Sequence, residues 1–134
     1  MASAATIHVS LITPERKVLE TEATSVVFPQ HDGLVGILKD RAPLVCELGI
    51  GVLRIETAGI GPQEFYIDGG FAQVHANTMS ILTQKAVPAE EITRAAADKA
   101  LADASAMPMK TDEEFAERQA AVERARTQQK LASK

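Results

Sequence analysis

The sequence contains little of several residue types, and each scarcity excludes a class of protein. Its 134 residues include a single cysteine, Cys46, so no disulfide can form within the chain, which fits a reducing compartment. Tryptophan is absent and aromatic residues make up only 4%, so a core has to be built from valine, isoleucine and leucine. Basic residues do not predominate, because the formal net charge is -4, and we expect no nucleic-acid partner.

Long apolar runs are missing as well. No run approaches the roughly 18 residues that a helix needs to cross a bilayer. The first five residues lack the basic and apolar regions of a secretory signal. We therefore expect no membrane insertion of the chain itself.

Residues that often carry chemistry are scattered along the chain. His8, His31 and His75 stand singly, without the spacing of zinc ligands, so we expect no metal. Cys46 lies in an apolar run without a basic neighbour, which is typical of a buried, inert thiol. No phosphate-binding loop ending in Gly-Lys-Ser/Thr occurs. The residues predict no active site, and they favour a binding or regulatory protein.

What is present divides the chain into two parts. All eight glycines lie before residue 72, and the pattern changes at Val87-Pro88 from strand-like to alanine-rich and helical. Residues 7–12 alternate with period two, as a half-buried strand does. Further strand-like runs cover residues 17–20, 23–28, 34–38, 44–48, 52–56, 64–67, 71–75 and 80–84. Turn signals separate them at residues 32–33, 49–51, 59–62, 68–70 and 76–77.

These patterns predict an α+β protein. An N-terminal antiparallel β-sandwich of about ten short strands is expected over residues 1–87, and a C-terminal α-helical hairpin over residues 88–134. The first helix is expected from about Pro88, which suits a first helical position, to Ala104. Pro108 breaks it, and Thr111 with Glu114 matches a capping box that opens the second helix.

The helical tail has few large apolar residues to anchor it. The candidates are Ile92, Leu101, Phe115, Val122 and Leu131. Alanine forms helix readily but supplies little packing. Ordering a residue costs about 1–2 kcal/mol for its backbone alone. We therefore expect a tail that docks weakly on the β part, so that ligands or partners could reverse the docking.

Two segments carry a resemblance to a known family. Residues 32–44 (DGLVGILKDRAPL) resemble a signature of the epsilon subunit of F-type ATP synthases, with an acidic-Gly pair, a second glycine and a downstream Ala-Pro-Leu. Residues 68–74 (DGGFAQV) resemble its second signature, a Gly-Gly pair that leads into a strand. Arg41 stands where many relatives have histidine, and Asp40 where they often have glycine. The resemblance covers essentially the whole chain.

The resemblance implies a non-catalytic subunit of the central stalk. The β part would bind the gamma subunit and the membrane ring of c subunits and turn with them, coupling proton flow to ATP synthesis. The tail would lie folded on the β part or extend into the alpha/beta head and inhibit ATP hydrolysis. The chain would lie peripherally on the cytoplasmic face of the bacterial inner membrane, as part of the complex.

Site residues follow from the same resemblance. The implied rotor contacts are His31, Asp32, Leu34, Arg41, Ala42 and Pro43. The basic residues that would meet the head are Arg118, Arg124, Arg126 and Lys130, and a solvated helix face is the alternative for them.

Some bacterial relatives bind ATP through an Ile/Leu-Asp-x-x-Arg-Ala motif. The nearest match here contains Glu91, Arg94 and Ala95, with Glu90 in place of the apolar residue. An additional carboxylate beside a triphosphate is unfavourable, and Glu91 and Arg94 could instead pair along the helix. ATP as a regulatory ligand therefore stays open. So do two other functions, a free-standing adaptor whose tail binds another protein and a small enzyme.

Overall fold

The computed structural model describes residues 6–30, 33–57 and 59–132. The strands are β1 (Ile7–Ile12), β2 (Lys17–Gln30), β3 (Gly33–Ile37), β4 (Leu44–Thr57), β5 (Gly61–His75), β6 (Thr78–Leu82) and β7 (Ala86–Pro88). A short 3-10 turn, Ala89–Glu91, leads to the helices α1 (Arg94–Ser105) and α2 (Asp112–Ala132). The predicted α+β arrangement in two parts is confirmed.

Five of the strands form a closed ring. Neighbours follow the order β1-β6-β5-β4-β2, and β1 also pairs with β2, while β3 extends from β2 and β7 pairs with β5. All pairs are antiparallel except β1 with β6, which is parallel. A ring with an odd number of strands cannot alternate in direction all the way round. The prediction of a wholly antiparallel arrangement is therefore wrong at this one pair.

The predicted number of about ten short strands is also wrong. The strands β2, β4 and β5 each span two of the predicted short strands without a break. The glycines at 49–51 and 68–70, which we expected in turns, lie inside β4 and β5, which pair along their whole length. Gly69 and Gly70 have φ angles of 73° and 115°, a region that favours glycine. These glycines permit strand geometry that side chains would resist, so they do not end the strands.

The interior of the ring is the hydrophobic core. It is filled by aliphatic residues with few aromatics, as the composition predicts, and Cys46 is among its buried members. The fully buried residues are Ile7, Val9, Leu11, Ala23, Val26, Phe28, Ile37, Leu53, Ile55, Ile67, Met79 and Ile81. Alternation in β1 places Ile7, Val9 and Leu11 inside, as expected from their period of two.

The first helix begins later than we expected. Pro88 lies in β7 opposite Phe65, and α1 begins at Arg94 after Thr93, whose side chain accepts a hydrogen bond of 3.2 Å from the amide of Ala96. The strand pairing holds the chain extended at Pro88, and Thr93 supplies the cap that a helix needs.

The capping box predicted at the start of α2 is confirmed. The amide of Glu114 donates to Thr111 Oγ1 at 3.0 Å, and the amide of Thr111 donates to Glu114 Oε1 at 3.2 Å.

The two helices form the predicted hairpin and pack through alanines. Ala97, Ala104 and Ala125 are buried. Among the predicted anchors, Leu131 is buried, whereas Phe115 is 48% exposed, so the expectation that Phe115 anchors the tail is wrong. Small side chains let the helices approach closely but bury little apolar area, which agrees with a weakly anchored tail.

Candidate functional site

The outer face of β4 and β5 is divided into a covered half and an open half. Helix α2 packs on β4 and β5. Beneath it on the same outer face lie two cross-strand pairs, Val52 with Tyr66 and Arg54 with Glu64. Further along the strands, Val45 and Phe71 are exposed on that face, as is Leu82 of β6, the partner of Phe71. We call these three residues (Val45, Phe71 and Leu82) the open patch.

Tyr66 owes its burial to the tail. Its neighbours Phe65 and Ile67 point into the core, so alternation turns Tyr66 outward, yet it is only 2% exposed. Burial, and then the nearby carboxylate of Asp68, raise the pKa of Tyr66 to about 12, while Gln128 and Arg124 act in the opposite direction. An outward tyrosine that is fully buried marks the surface on which the tail docks.

Polar groups of α2 meet this surface at helical spacing. Arg124 Nε lies 2.8 Å from Asp68 Oδ2. Arg124 Nε makes no hydrogen bond there, so the contact is an ion pair, between side chains that are 43% exposed for Arg124 and 24% exposed for Asp68. Four residues on, the Gln128 side chain lines the same cavity as Tyr66 and lowers the pKa of its hydroxyl, and a turn later Leu131 is buried. One stripe of α2 therefore provides both the polar and the apolar contacts.

The open patch is unusual in its exposure. Val45 is 67% exposed, Phe71 56% and Leu82 50%. The register places Leu82 directly opposite Phe71 and Val45 diagonally across from it, so the three side chains lie on one outer surface. A contiguous group of exposed apolar side chains is typical of a protein-binding surface.

The loop between β3 and β4 is fixed to the β5–β6 turn. The amide of Asp40 donates to Asn77 Oδ1 at 2.7 Å, and Asn77 Nδ2 donates to Asp40 Oδ1 at 3.2 Å. Asp40 has a φ of 66°, which explains why glycine also suits this position. The link holds the exposed residues Arg41, Ala42 and Pro43 at the end of the barrel where β4 begins.

Another predicted rotor contact, Leu34, lies beside a cavity that Pro29, Gly51 and Leu131 also line. Leu34 is 70% exposed on β3. His31 and Asp32 lie outside the described residues.

The residues proposed for ATP are all exposed. Arg94 pairs with Asp98 at 3.2 Å, one turn along α1, and not with Glu91, which lies in the 3-10 turn. The suggested pairing of Glu91 with Arg94 is therefore wrong. A cavity of about 440 Å³ opens between α1, α2 and β5, but Glu91, Arg94 and Ala95 do not line it. The cavity walls carry charges of both signs, from Asp68, Lys85, Asp103 and Arg124.

The four basic residues of α2 have different surroundings. Arg118 donates to the carbonyl of Ser105 at 3.2 Å, which ties α2 to the end of α1. Arg124 faces the barrel and pairs with Asp68. Arg126 and Lys130 are exposed. In the docked position these side chains therefore do not form one continuous basic face.

Sequence reasoning missed the docking residues. The sequence patterns place Tyr66 in a short strand and Asp68 in a turn, and they give no signal for Gln128. One signal could have found Tyr66, since it is the only tyrosine and alternation places it opposite the core residues Phe65 and Ile67. Among the described residues, no group of three or more His, Cys, Asp or Glu side chains is arranged to hold a metal.

A cluster around His8 gives the β part a pH-dependent contact. His8 Nδ1 lies 2.6 Å from Glu22 Oε2, and His8 Nε2 lies 2.6 Å from Glu20 Oε2. Lys17 also pairs with Glu20, at 2.9 Å. Hydrogen bonds to Glu22 and Glu20 raise the pKa of His8, and the pKa values of both glutamates are lowered. The cluster ties β1 to β2 most firmly when His8 is protonated.

We expect this cluster to make stability depend on pH. Because the folded-state pKa of His8 is raised, its contribution is complete below the unfolded value of about 6.5 and is lost as pH rises through the folded value. The wild type should exceed a His8→Gln variant in urea midpoint at about pH 6, and the difference should vanish by about pH 9. Equal midpoints at both pH values would contradict the expectation. The groups are exposed, so added salt should reduce the difference.

Comparison with known proteins decides the family. Residues 6–89 match the family model described as ATP synthase, Delta/Epsilon chain, beta-sandwich domain. The chain is 43% identical to the ATP synthase epsilon chain of Rhodopirellula baltica, across 91% of this chain and 94% of the relative. The chain belongs to the ATP synthase epsilon chain family.

Other relatives and solved structures agree. The sodium ion specific ATP synthase epsilon chain of Propionigenium modestum is 30% identical, across 96% of this chain and 94% of the relative. A chain of the Euglena gracilis mitochondrial ATP synthase matches with a TM-score of 0.83 and 26% identity, covering 95% of this chain and 81% of that chain. A chain from the Tetrahymena thermophila mitochondrial ATP synthase central stalk and c-ring shares the fold, with a TM-score of 0.69 and 21% identity.

Membership settles the class of function. The chain is a non-catalytic subunit of the F-type ATP synthase. The alternatives of a free-standing adaptor and a small enzyme are therefore not supported. None of the described helices is long and apolar enough to span a membrane.

Proposed function

We propose that the β barrel binds the rotor and that the helical tail inhibits ATP hydrolysis. The division follows residues 1–87 and 88–134, with the barrel on the gamma subunit and the c-subunit ring and the tail reaching the alpha/beta head when it is released. In this role the chain transmits the rotation that couples proton translocation to ATP synthesis. It would lie peripherally at the cytoplasmic face of the bacterial inner membrane, held there by the complex.

The observation that carries the proposal is the division of the outer face of β4 and β5. The tail covers Val52 and Tyr66 but leaves the open patch bare, so the barrel can hold a partner there whether or not the tail is docked. Burying three apolar side chains at an interface is worth about 1.5–3 kcal/mol for each one fully covered. We assign the gamma subunit to the open patch.

The end of the barrel is assigned to the c-subunit ring. The Arg41, Ala42 and Pro43 loop is exposed there, and the Asp40–Asn77 link holds the loop in place without a partner, while Leu34 is exposed on β3. A preformed loop loses little conformational freedom when it binds, which favours a lasting contact.

The tail would contact the head through Arg118, Arg124, Arg126 and Lys130. Acidic surface is the partner that four basic side chains fit. Because Arg124 faces the barrel in the docked hairpin, the tail has to leave the barrel before Arg124 can meet the head. ATP bound by Glu91, Arg94 and Ala95 is not part of the proposal, since all three are exposed and Arg94 pairs with Asp98.

Changing the open patch should weaken binding to the rotor. We expect Phe71→Ser to raise the Kd for the purified gamma subunit about tenfold or more, and Leu82→Ser to act in the same direction, because each removes an apolar contact from the interface. The matched control is Ile60→Ser in the β4–β5 turn, since Ile60 is 76% exposed but lies away from the patch. Titration calorimetry measures the affinity. Unchanged binding by both variants would contradict the assignment.

A further inference from the structure

We propose that Asp68, Tyr66, Arg124 and Gln128 form a clasp that holds the helical tail on the barrel without any bound ligand. This inference rests on the proposed regulatory function and deepens it, because it names what sets the position of the tail. The clasp consists of the Arg124–Asp68 ion pair at 2.8 Å and of the Gln128 and Tyr66 side chains, which line the same cavity between α2 and β5.

The clasp matters because the apolar anchoring of the tail is weak. Of the large apolar side chains in α2, Leu131 is buried, whereas Phe115 remains 48% exposed. The other buried residue of α2 is Ala125, which packs little area. With so little apolar burial in α2, even the modest free energy of a partly exposed ion pair shifts the balance between the docked and the released tail.

The hairpin has its own internal contacts, which do not depend on docking. Gln129 Nε2 donates to Asp98 Oδ1 at 2.8 Å, and Arg118 Nη2 donates to the carbonyl of Ser105 at 3.2 Å. Both join α1 to α2. The Asp68 and Tyr66 contacts, by contrast, join α2 to β5. The hairpin can therefore leave the barrel as a unit, and to do so it must break the clasp and uncover Leu131.

Arg124 gives the clasp a regulatory consequence. It is one of the four basic residues proposed to meet the head, and its guanidinium is paired with Asp68 while the tail is docked. One arginine cannot satisfy Asp68 and an acidic surface of the head at the same time. Docking and head contact therefore compete for the same side chain, which makes the two positions of the tail exclusive.

Tyr66 is a built-in reporter for the test. It is the only tyrosine, the chain has no tryptophan, and the tail covers it. Quenching of tyrosine fluorescence by acrylamide therefore measures tail release in the unlabelled full chain, with no nucleotide present. A chain that ends at Ile92 provides the reference for a fully exposed Tyr66.

We expect Arg124→Gln to raise the quencher-accessible fraction of Tyr66 about fivefold over the wild type. Arg126→Gln is the matched control, since Arg126 is an exposed arginine two residues away on the same helix, and it should change nothing. Exchanging the charges, Asp68→Arg with Arg124→Asp, should restore protection, which a merely structural role of either residue would not produce.

Either of two results would contradict the proposal of a clasp. One is equal accessibility of Tyr66 in Arg124→Gln and Arg126→Gln. The other is a wild-type Tyr66 that is accessible alone and becomes protected only when ATP is added. The measurement is independent of the assembled enzyme, so an unaltered rate of ATP hydrolysis in the complex would count against the proposed inhibition and leave the clasp standing.

Discussion

Replacing Gly70 by alanine should destabilise the β barrel by about 3 kcal/mol or more, enough to unfold much of a marginally stable chain. A Cβ at this position would overlap the carbonyl oxygen of Leu82 and lie 2.7 Å from the Cα of Thr83. The φ angle of 115° is itself strained for any residue with a side chain. Both obstacles are backbone atoms, which cannot turn away as a flexible side chain can.

Urea denaturation of the purified chain measures this effect, and Gly36→Ala is its control. Gly36 also lies in a strand, but its added Cβ would meet only Val27 Cγ2, at 4.0 Å. We expect that variant to stay within about 0.5 kcal/mol of the wild type. A cost of less than about 1 kcal/mol for Gly70→Ala would show that β5 and β6 can separate without loss of the barrel. The open patch should be damaged too, since Phe71 and Leu82 flank the site.

Ending the chain after Ile92 should leave a folded barrel that still joins the rotor, while ATP hydrolysis by the assembled enzyme rises about fivefold or more. The tail supplies the inhibition in the proposed function, and its loss removes every head contact at once. The cut preserves β7, in which Val87 pairs with Tyr66 and Pro88 with Phe65. Hydrolysis and subunit content of purified complexes are the measurements.

A second truncation separates regulation from structure. A chain ending at Lys85 loses β7 as well as the tail, so the edge of β5 is left unpaired and its stability should fall below that of the chain ending at Ile92. If the chain ending at Ile92 also failed to assemble, the helices would be needed for the architecture of the stalk, and the proposed inhibitory role would be wrong.

The sequence correctly predicted the features that depend on residues close together in the chain. The alternation of Ile7, Val9 and Leu11 gave the correct inward face of β1, and Thr111 with Glu114 gave the correct start of α2. The glycines led to a prediction of too many strands. At Gly69 and Gly70 positive φ angles occur inside a long strand, and composition does not distinguish that geometry from a turn.

The resemblance to family signatures predicted a subunit of the ATP synthase, whereas the residue types alone predicted only a binding or regulatory protein. The segments around Asp40 and Gly70 identified the family before any contact was known, and the structure then supplied reasons for both. Asp40 takes a positive φ and bonds Asn77, while Gly70 lies where the backbone of Leu82 leaves no room for a side chain.

By itself the sequence determined that this is a β part followed by an alanine-rich helical tail with few apolar anchors, because periodicity, caps and composition act over a few residues. Only the tertiary structure decided that five strands close into a ring with one parallel pair, that the outer face of β4 and β5 is half covered, and that Arg124 meets Asp68. Those features depend on residues far apart in the chain, such as positions 68 and 124. Their meeting is set by how β5 and α2 pack and not by any pattern along the sequence.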